Sequence, residues 1–378
     1  MPGRLPILML PLALSALLPF AMFKSNRIAP GEPRGLIDAF GLLGGGAFLL
    51  ALAAVVVALL ALRGPLARVT LAAMLLCAII LLMGWAAARL TAEAPRQARV
   101  APGAGFWLAL VSAGLLLIDA LARLRPAPAV RLAFIAGAVA LGCVILGSGA
   151  LSQISVMREY QARSGAFWRE AGNHVWLAFG AFGVAMAVGV PLGIILARRP
   201  RLRPAVLNLL TMVQTIPSIA LFGMLMLPLG WLAAHVPAAA ALGIKGIGLA
   251  PAFVALFLYS LLPVVANTVA GLAGIARSVT DAADGMGLTA AQRMWAVEVP
   301  LALPVILTAA RAVLVQNIGM ATVGALIGAG GFGIFVFQGI GQTATDLILL
   351  GALPTVALAF LTSAIMDALI GLLPGTAG

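Results

Sequence analysis

Long apolar runs separated by short, arginine-bearing gaps set the pattern of this chain. They fall at 6–23, 39–62, 69–88, 106–122 and 132–151, and, beyond a charged stretch, at 173–197, 205–232, 247–275, 303–327 and 347–373. A helix needs roughly 20 mostly apolar residues to cross about 30 Å of hydrocarbon. Inside lipid every backbone polar group must also be bonded within the protein, which a helix does on its own. The period-two alternation of a membrane barrel is absent. The pattern therefore predicts an all-α, polytopic membrane protein of about ten transmembrane helices.

The first run follows Arg4 and is short enough for a signal peptide or a first span. No small-x-small cleavage site precedes Lys24, which favours a retained span. The stretch 152–172 carries Arg158, Glu159, Arg163, Arg169 and Glu170 and reads as a polar connector. It separates an N-terminal extension of five spans (1–151) from a C-terminal core of five (173–378). The extension has almost no polar residues inside its spans, so packing beside the core is the role it suggests.

Composition agrees with the membrane reading: 63% of residues are hydrophobic and 9% charged, with mean hydropathy +1.14, where soluble domains carry about 25% charged residues. The net charge of +12 does not point to nucleic acid, because the arginines sit in loops between spans and topology accounts for them. The densest cluster, RRPRLRP at 198–204, goes to the cytoplasm, and alternation then sends most acids outside. Cys77 and Cys143 lie in apolar runs, and two histidines, His174 and His235, stand far apart, so neither a disulfide framework nor a metal site is expected.

One interval breaks the apolar rhythm. Residues 281–304 read DAADGMGLTAAQRMWAVEVPLALP. Two helix-compatible pieces flank Gly285 and Gly287, either of which could end a helix or take positive φ. Pro300 and Pro304 would mark re-entry into the membrane. The expected shape is helix, glycine turn, helix, on the cytoplasmic side, with the loop as a whole at 276–300.

Its spacing is specific: Asp281-Ala282-Ala283, three residues, Gly287, nine residues, Val297, one residue, Val299-Pro300. This resembles the cytoplasmic loop of ATP-binding-cassette importer permeases, Glu-Ala-Ala, three residues, Gly, nine residues, Ile, one residue, Leu-Pro, with Asp for Glu and Val twice for a larger aliphatic. LNLLTMVQTIPSIALFG (207–223), GIGLAPAFVALFLYSLLPVVANT (246–268) and NIGMATVGALIGAGGFGIFVFQGI (317–340) are similar to permeases of osmoprotectant importers, those for glycine betaine, choline and related compounds. The resemblance covers about 173–373. It implies a multi-pass bacterial inner-membrane subunit that moves substrate by alternating access. The implied partners are a cytoplasmic ATPase dimer docked on this loop, a second permease, identical or homologous, and an extracytoplasmic binding protein. No G-x-x-x-x-G-K-[ST] phosphate loop occurs in the chain, so ATP would be used by a separate subunit, with no cofactor held here and no enzyme activity of its own.

Polar residues within spans are costly and are candidates for the pathway or for ties between helices. Gln214, Thr215 and Ser218 lie with Asn208 and Thr211 near Pro217; Tyr259 and Asn267 share a face about Pro263; Gln316, Asn317 and Thr322 follow in the next span. Both readings stay open. A quaternary ammonium is held by aromatic faces, and only Tyr259 is well placed, so selectivity is expected from the binding protein. GAGGFG (328–333) reads as a flexible connection, with a re-entrant or gate segment as the alternative. Asp119, Asp346 and Asp367 lie near span ends, which argues against ion coupling, and Arg311 either snorkels or pairs with Glu298. The competing classes are an ABC permease for another small solute such as an amino acid, an ion-coupled secondary transporter, and a membrane scaffold or sensor.

Overall fold

The computed structural model describes residues 4–27, 29–61 and 64–373. The chain divides into two compact units, Met1–Arg163 and Ser164–Gly378. Among the described residues, nine helical segments are long and apolar enough to cross a membrane.

The first unit holds helices α1 (Arg4–Leu14), α2 (Leu36–Ala61), α3 (Pro65–Thr91), α4 (Ala104–Leu124), α5 (Pro128–Gly147) and α6 (Ser155–Ala162). It also contains a feature that the run pattern hides. The first apolar run is not one span: α1 covers only 11 residues as described, about 16 Å of helix, and the chain then turns into strand β1 (Ala21–Lys24). The Leu18–Pro19 pair explains the change, since a residue before proline is pushed out of the α region, and Leu18 has ψ 156°. Strand β1 is the centre of a three-stranded antiparallel sheet with β2 (Glu32–Arg34) and β3 (Arg99–Pro102). Ala21 faces Arg34 on one side and Pro102 on the other. Gly103 and Gly105 let the start of α4 lie against this segment: a Cβ on Gly103 would stand 2.3 Å from the Pro19 carbonyl oxygen. Phe20, Phe40, Phe48, Trp85 and Phe106 fill the space between the sheet and α2–α4.

The second unit holds α7 (Ser164–Val175), α8 (Ala181–Arg198), α9 (Arg203–Thr215), α10 (Ser218–His235), the short α11 (Pro237–Ala241), α12 (Leu249–Ala273), α13 (Arg277–Gly285), α14 (Ala290–Arg293), α15 (Val299–Val323), α16 (Gly333–Gly341) and α17 (Thr345–Ile370). Helix α12 is the axis, packed on α8, α9, α10 and α15, while α17 packs on α15 and α16. Gly189 and Gly193 sit four residues apart on α8, and Cβ atoms there would lie 2.7 Å from Val264 and 2.6 Å from Thr268 of α12. Small residues at this spacing allow the backbones of membrane helices to approach closely.

Two expectations about single spans change. The run 205–232 is two helices, because Ile216 and Pro217 are extended (ψ 128° and 139°) between α9 and α10. The prolines at 300 and 304, expected at re-entry into the membrane, lie in unbroken helix, Pro300 in the first turn of α15 and Pro304 within it. Helix α7 joins α8, and α14 joins α15, through five-residue π-helical turns at Trp176–Gly180 and Met294–Glu298. The second of these makes one continuous helical segment, Ala290–Ile327, of 38 residues. At 1.5 Å per residue that is about 57 Å, nearly twice the hydrocarbon thickness, so its first turns stand clear of the membrane.

Candidate functional site

The polar hairpin is built by two capping devices. Helix α13 ends in a six-to-one and five-to-two pair of bonds: Leu288 N–H donates to the Ala283 carbonyl at 3.2 Å and Gly287 N–H to that of Asp284 at 2.9 Å. This helix end needs a left-handed residue between the two donors, and Gly287 supplies it with φ 78°. Gly285 stays helical, so of the two glycines only Gly287 makes the turn. Helix α14 starts in a reciprocal cap, where the Thr289 hydroxyl accepts from Gln292 N–H and the Gln292 side chain accepts from Thr289 N–H.

The hairpin is anchored by charge. Arg293 donates to Asp284 across the turn and, at 2.8 Å, to Glu298. Glu298 is buried and also accepts from Arg198 at the end of α8, at 3.1 Å. One arginine therefore ties α13 to the π-helical turn, and one carboxylate ties that turn to α8. Charge-assisted bonds of this kind are the strong ones. Below them Leu272, Met294, Ala302 and Ile306 form an apolar seat, against which Val299 packs. Of the motif residues, Ala283 is buried and Val297 half-buried, while Asp281, Ala282, Gly287 and Pro300 are exposed. Met286 and Trp295 are exposed as well. The outward face thus carries acids, small residues and two large apolar side chains.

Tyr259 and Gln214 of the pathway set form a clasp between α9 and α12. Gln214 donates its amide to the Tyr259 carbonyl at 2.8 Å, and the Tyr259 hydroxyl donates to the Ile216 carbonyl. The broken helix leaves that carbonyl without a backbone partner, and in a membrane it must find one. Asn317 is fully buried; it accepts from Ser260 at 3.1 Å and donates to the Ala178 carbonyl in the first π-helical turn at 3.4 Å. Thr215 and Asn267 return to their own helices, bonding Met212 and Pro263 carbonyls. Ser218 opens α10, and Thr322 lies half-buried beside the tightly packed Gly333. The structure so brings Gln214 to Tyr259 and Asn317 to Ser260, and leaves the others apart.

Two expectations are corrected here. Arg311 pairs with Asp367 of α17 at 2.7 Å rather than with Glu298, whose oxygens are taken by Arg198 and Arg293. GAGGFG is a packed segment and not a loose connection. Gly331 N–H donates at 2.8 Å to buried Glu170, which also accepts from Asn173. A Cβ on Gly330 would fall 2.6 Å from the Glu170 carboxylate, and His174 lies fully buried against Phe332. Glu170, Asn173 and His174 were hidden in or beside a segment read as a connector. Their three- and four-residue spacing was the available sign of one helical face.

These features define a class: a polytopic membrane protein whose long helices carry a protruding polar hairpin. Residues 189–374 match the family described as binding-protein-dependent transport system inner membrane component, and residues 2–157 match the N-terminal domain of ABC transporter permease YehY. The chain is 44% identical over 181 residues to the osmoprotectant import permease protein OsmW of Salmonella typhimurium, covering 48% of this chain and 79% of that one. It is 33% identical over 206 residues to the glycine betaine/carnitine/choline transport system permease protein OpuCB of Bacillus subtilis, covering 54% and 88%. A solved chain of the MetNI methionine ABC transporter in an inward-facing conformation aligns at 22% identity and TM-score 0.47, over 55% of this chain and 95% of that one. The chain belongs to the family of ABC importer permeases, as a multi-pass inner-membrane component.

Proposed function

We propose that this chain is the translocating subunit of an ATP-driven importer for a small osmoprotectant such as glycine betaine, choline or carnitine. The relatives named for those solutes support the substrate class. The hairpin carries the reading of mechanism: Asp281, Ala282 and Gly287 are exposed on a knob, with Ala283 buried beneath them, and its base is held by Val299, Pro300 and the Arg293–Glu298–Arg198 ties.

A separate cytoplasmic ATPase dimer receives this knob, and ATP is bound and hydrolysed there. Because α14 runs without interruption into α15, a push on the knob is delivered along a rigid lever to the helices around α12. Such a shift between inward- and outward-facing states requires that the ATPase bind the two states with different free energy. A second permease completes the pathway, to which Gln214, Thr215, Ser218, Tyr259, Asn267, Asn317 and Thr322 belong as lining or as ties. An extracytoplasmic binding protein delivers the solute.

The experiment is co-purification of the chain with the ATPase subunit, followed by uptake of labelled glycine betaine into liposomes with the binding protein added. ATP-dependent uptake is expected. Uptake driven by an ion gradient in the absence of the ATPase would overturn the proposal.

A further inference from the structure

The first unit carries an arginine-lined pocket that the transport reading does not use. A cavity of about 440 Å³ is lined by Asn26, Arg27, Arg96, Gln97, Arg99 and Arg158. Its walls come from the end of β1, the turn before β3 and the start of α6, elements that the sheet holds together.

The charges there do not balance. Glu159 is buried, and its two oxygens accept from Arg27 at 3.3 Å, Arg99 at 2.7 Å and Arg163 at 3.4 Å. Arg158 spends its guanidinium on the Arg96 and Ala98 carbonyls and on Gln153, which fixes the turn without neutralising anything. Arg96 is exposed at the rim, and its guanidinium has no acceptor among the described residues. The other carboxylates of the unit lie outside this pocket's lining. Glu32 pairs with Arg34, Asp119 with Arg123, Asp38 accepts from Gly35 N–H, and Glu93 lines a separate cavity beside Arg89. Three guanidinium groups thus share one carboxylate, and Arg96 and Arg158 add two more positive charges to the lining without a carboxylate of their own.

We propose that this pocket binds a phosphate group, either free phosphate or the headgroup phosphate of an anionic phospholipid. Planar guanidinium forks match the oxygens of a phosphate, and the volume lies in the range of small-ligand sites. The lining contains no aromatic ring, so the pocket lacks the faces that recognise a quaternary ammonium. It therefore favours a phosphate, with no cationic group to place among the arginines, over the proposed cargo, whose quaternary ammonium would be repelled there.

The test uses the full-length chain. Phosphate is titrated calorimetrically into the detergent-purified protein, and phosphatidylglycerol and phosphatidylcholine are compared by native mass spectrometry of protein released from nanodiscs. Arg96→Glu is the principal variant because the Arg96 side chain makes no hydrogen bond or ion pair among the described residues and its carbonyl, which accepts from Arg158, is kept in any variant; Arg96→Gln is the second, should the charge reversal disturb the fold. Saturable phosphate binding weakened at least tenfold by either variant assigns the site to a free anion. Retention of phosphatidylglycerol alone, lost in the variants, assigns it to lipid. If neither ligand binds, or if binding is the same in both variants as in the parent, the proposal fails.

Discussion

Replacing Gly287 tests whether one backbone conformation transmits the work of the ATPase. The residue has φ 78°, and a Cβ built on it meets nothing within 4 Å. Substitution therefore costs conformation and no packing. A left-handed residue other than glycine costs about 1–2 kcal/mol, with asparagine less penalised and β-branched residues more. A cost of one or two kcal/mol lowers the formed-turn population relative to its alternatives by a factor of roughly 5–30. The expected order of damage is Gly287→Asn least, Gly287→Ala intermediate and Gly287→Val greatest. The assay is the ratio of solute imported to ATP hydrolysed in proteoliposomes holding the ATPase and binding protein, with membrane insertion checked by yield from the solubilised fraction. Gly287→Val is expected to insert normally while losing uptake per ATP. Parental ratios in Gly287→Ala and Gly287→Val, or an Asn variant no better than Val, would refute the reasoning.

Three further outcomes follow from the packing. Glu298→Gln removes the buried charge shared by Arg198 and Arg293, at a cost of roughly 1.5–3 kcal/mol for charged hydrogen bonds; the thermal unfolding midpoint should fall and uptake with it. Tyr259→Phe leaves the Ile216 carbonyl unsatisfied in the membrane, about 1–3 kcal/mol, again read as a fall in the unfolding midpoint, and an unchanged midpoint would show that another group reaches that carbonyl. Gly193→Leu drives a side chain into Thr268 and should cost about 1–3 kcal/mol or more by overpacking. Its yield of detergent-stable protein should drop, while Gly183→Leu on the same helix, where a Cβ meets nothing within 4 Å, should express normally.

The apolar runs and the polar hairpin could be read along the chain because both are local. Hydrophobic length reports the membrane directly, and the hairpin depends on residues at short fixed spacings: Gly287 five residues after Ala282 and Gln292 three after Thr289. The same locality misled at 6–23 and 205–232. Hydropathy averages over Leu18–Pro19 and Ile216–Pro217, where extended backbone at Leu18, and at Ile216 and Pro217, stops the helical path without lowering the apolar content. GAGGFG misled for the opposite reason, since glycines that loosen a free chain are here the only residues small enough to lie against Glu170 and His174.

From its order of residues the chain declares the class of membrane protein, the number of long helices among the described residues to within one, and the polar hairpin between α12 and α15. What it does not declare is which polar groups meet. Arg311 finds Asp367 across 56 positions, Glu298 finds Arg198 across 100, and Gly331 finds Glu170 across 161. Partners at such distances are chosen when helices pack. In lipid, packing is driven by small-residue contacts and by the need of each buried donor and acceptor for a partner, and both are properties of the assembled bundle.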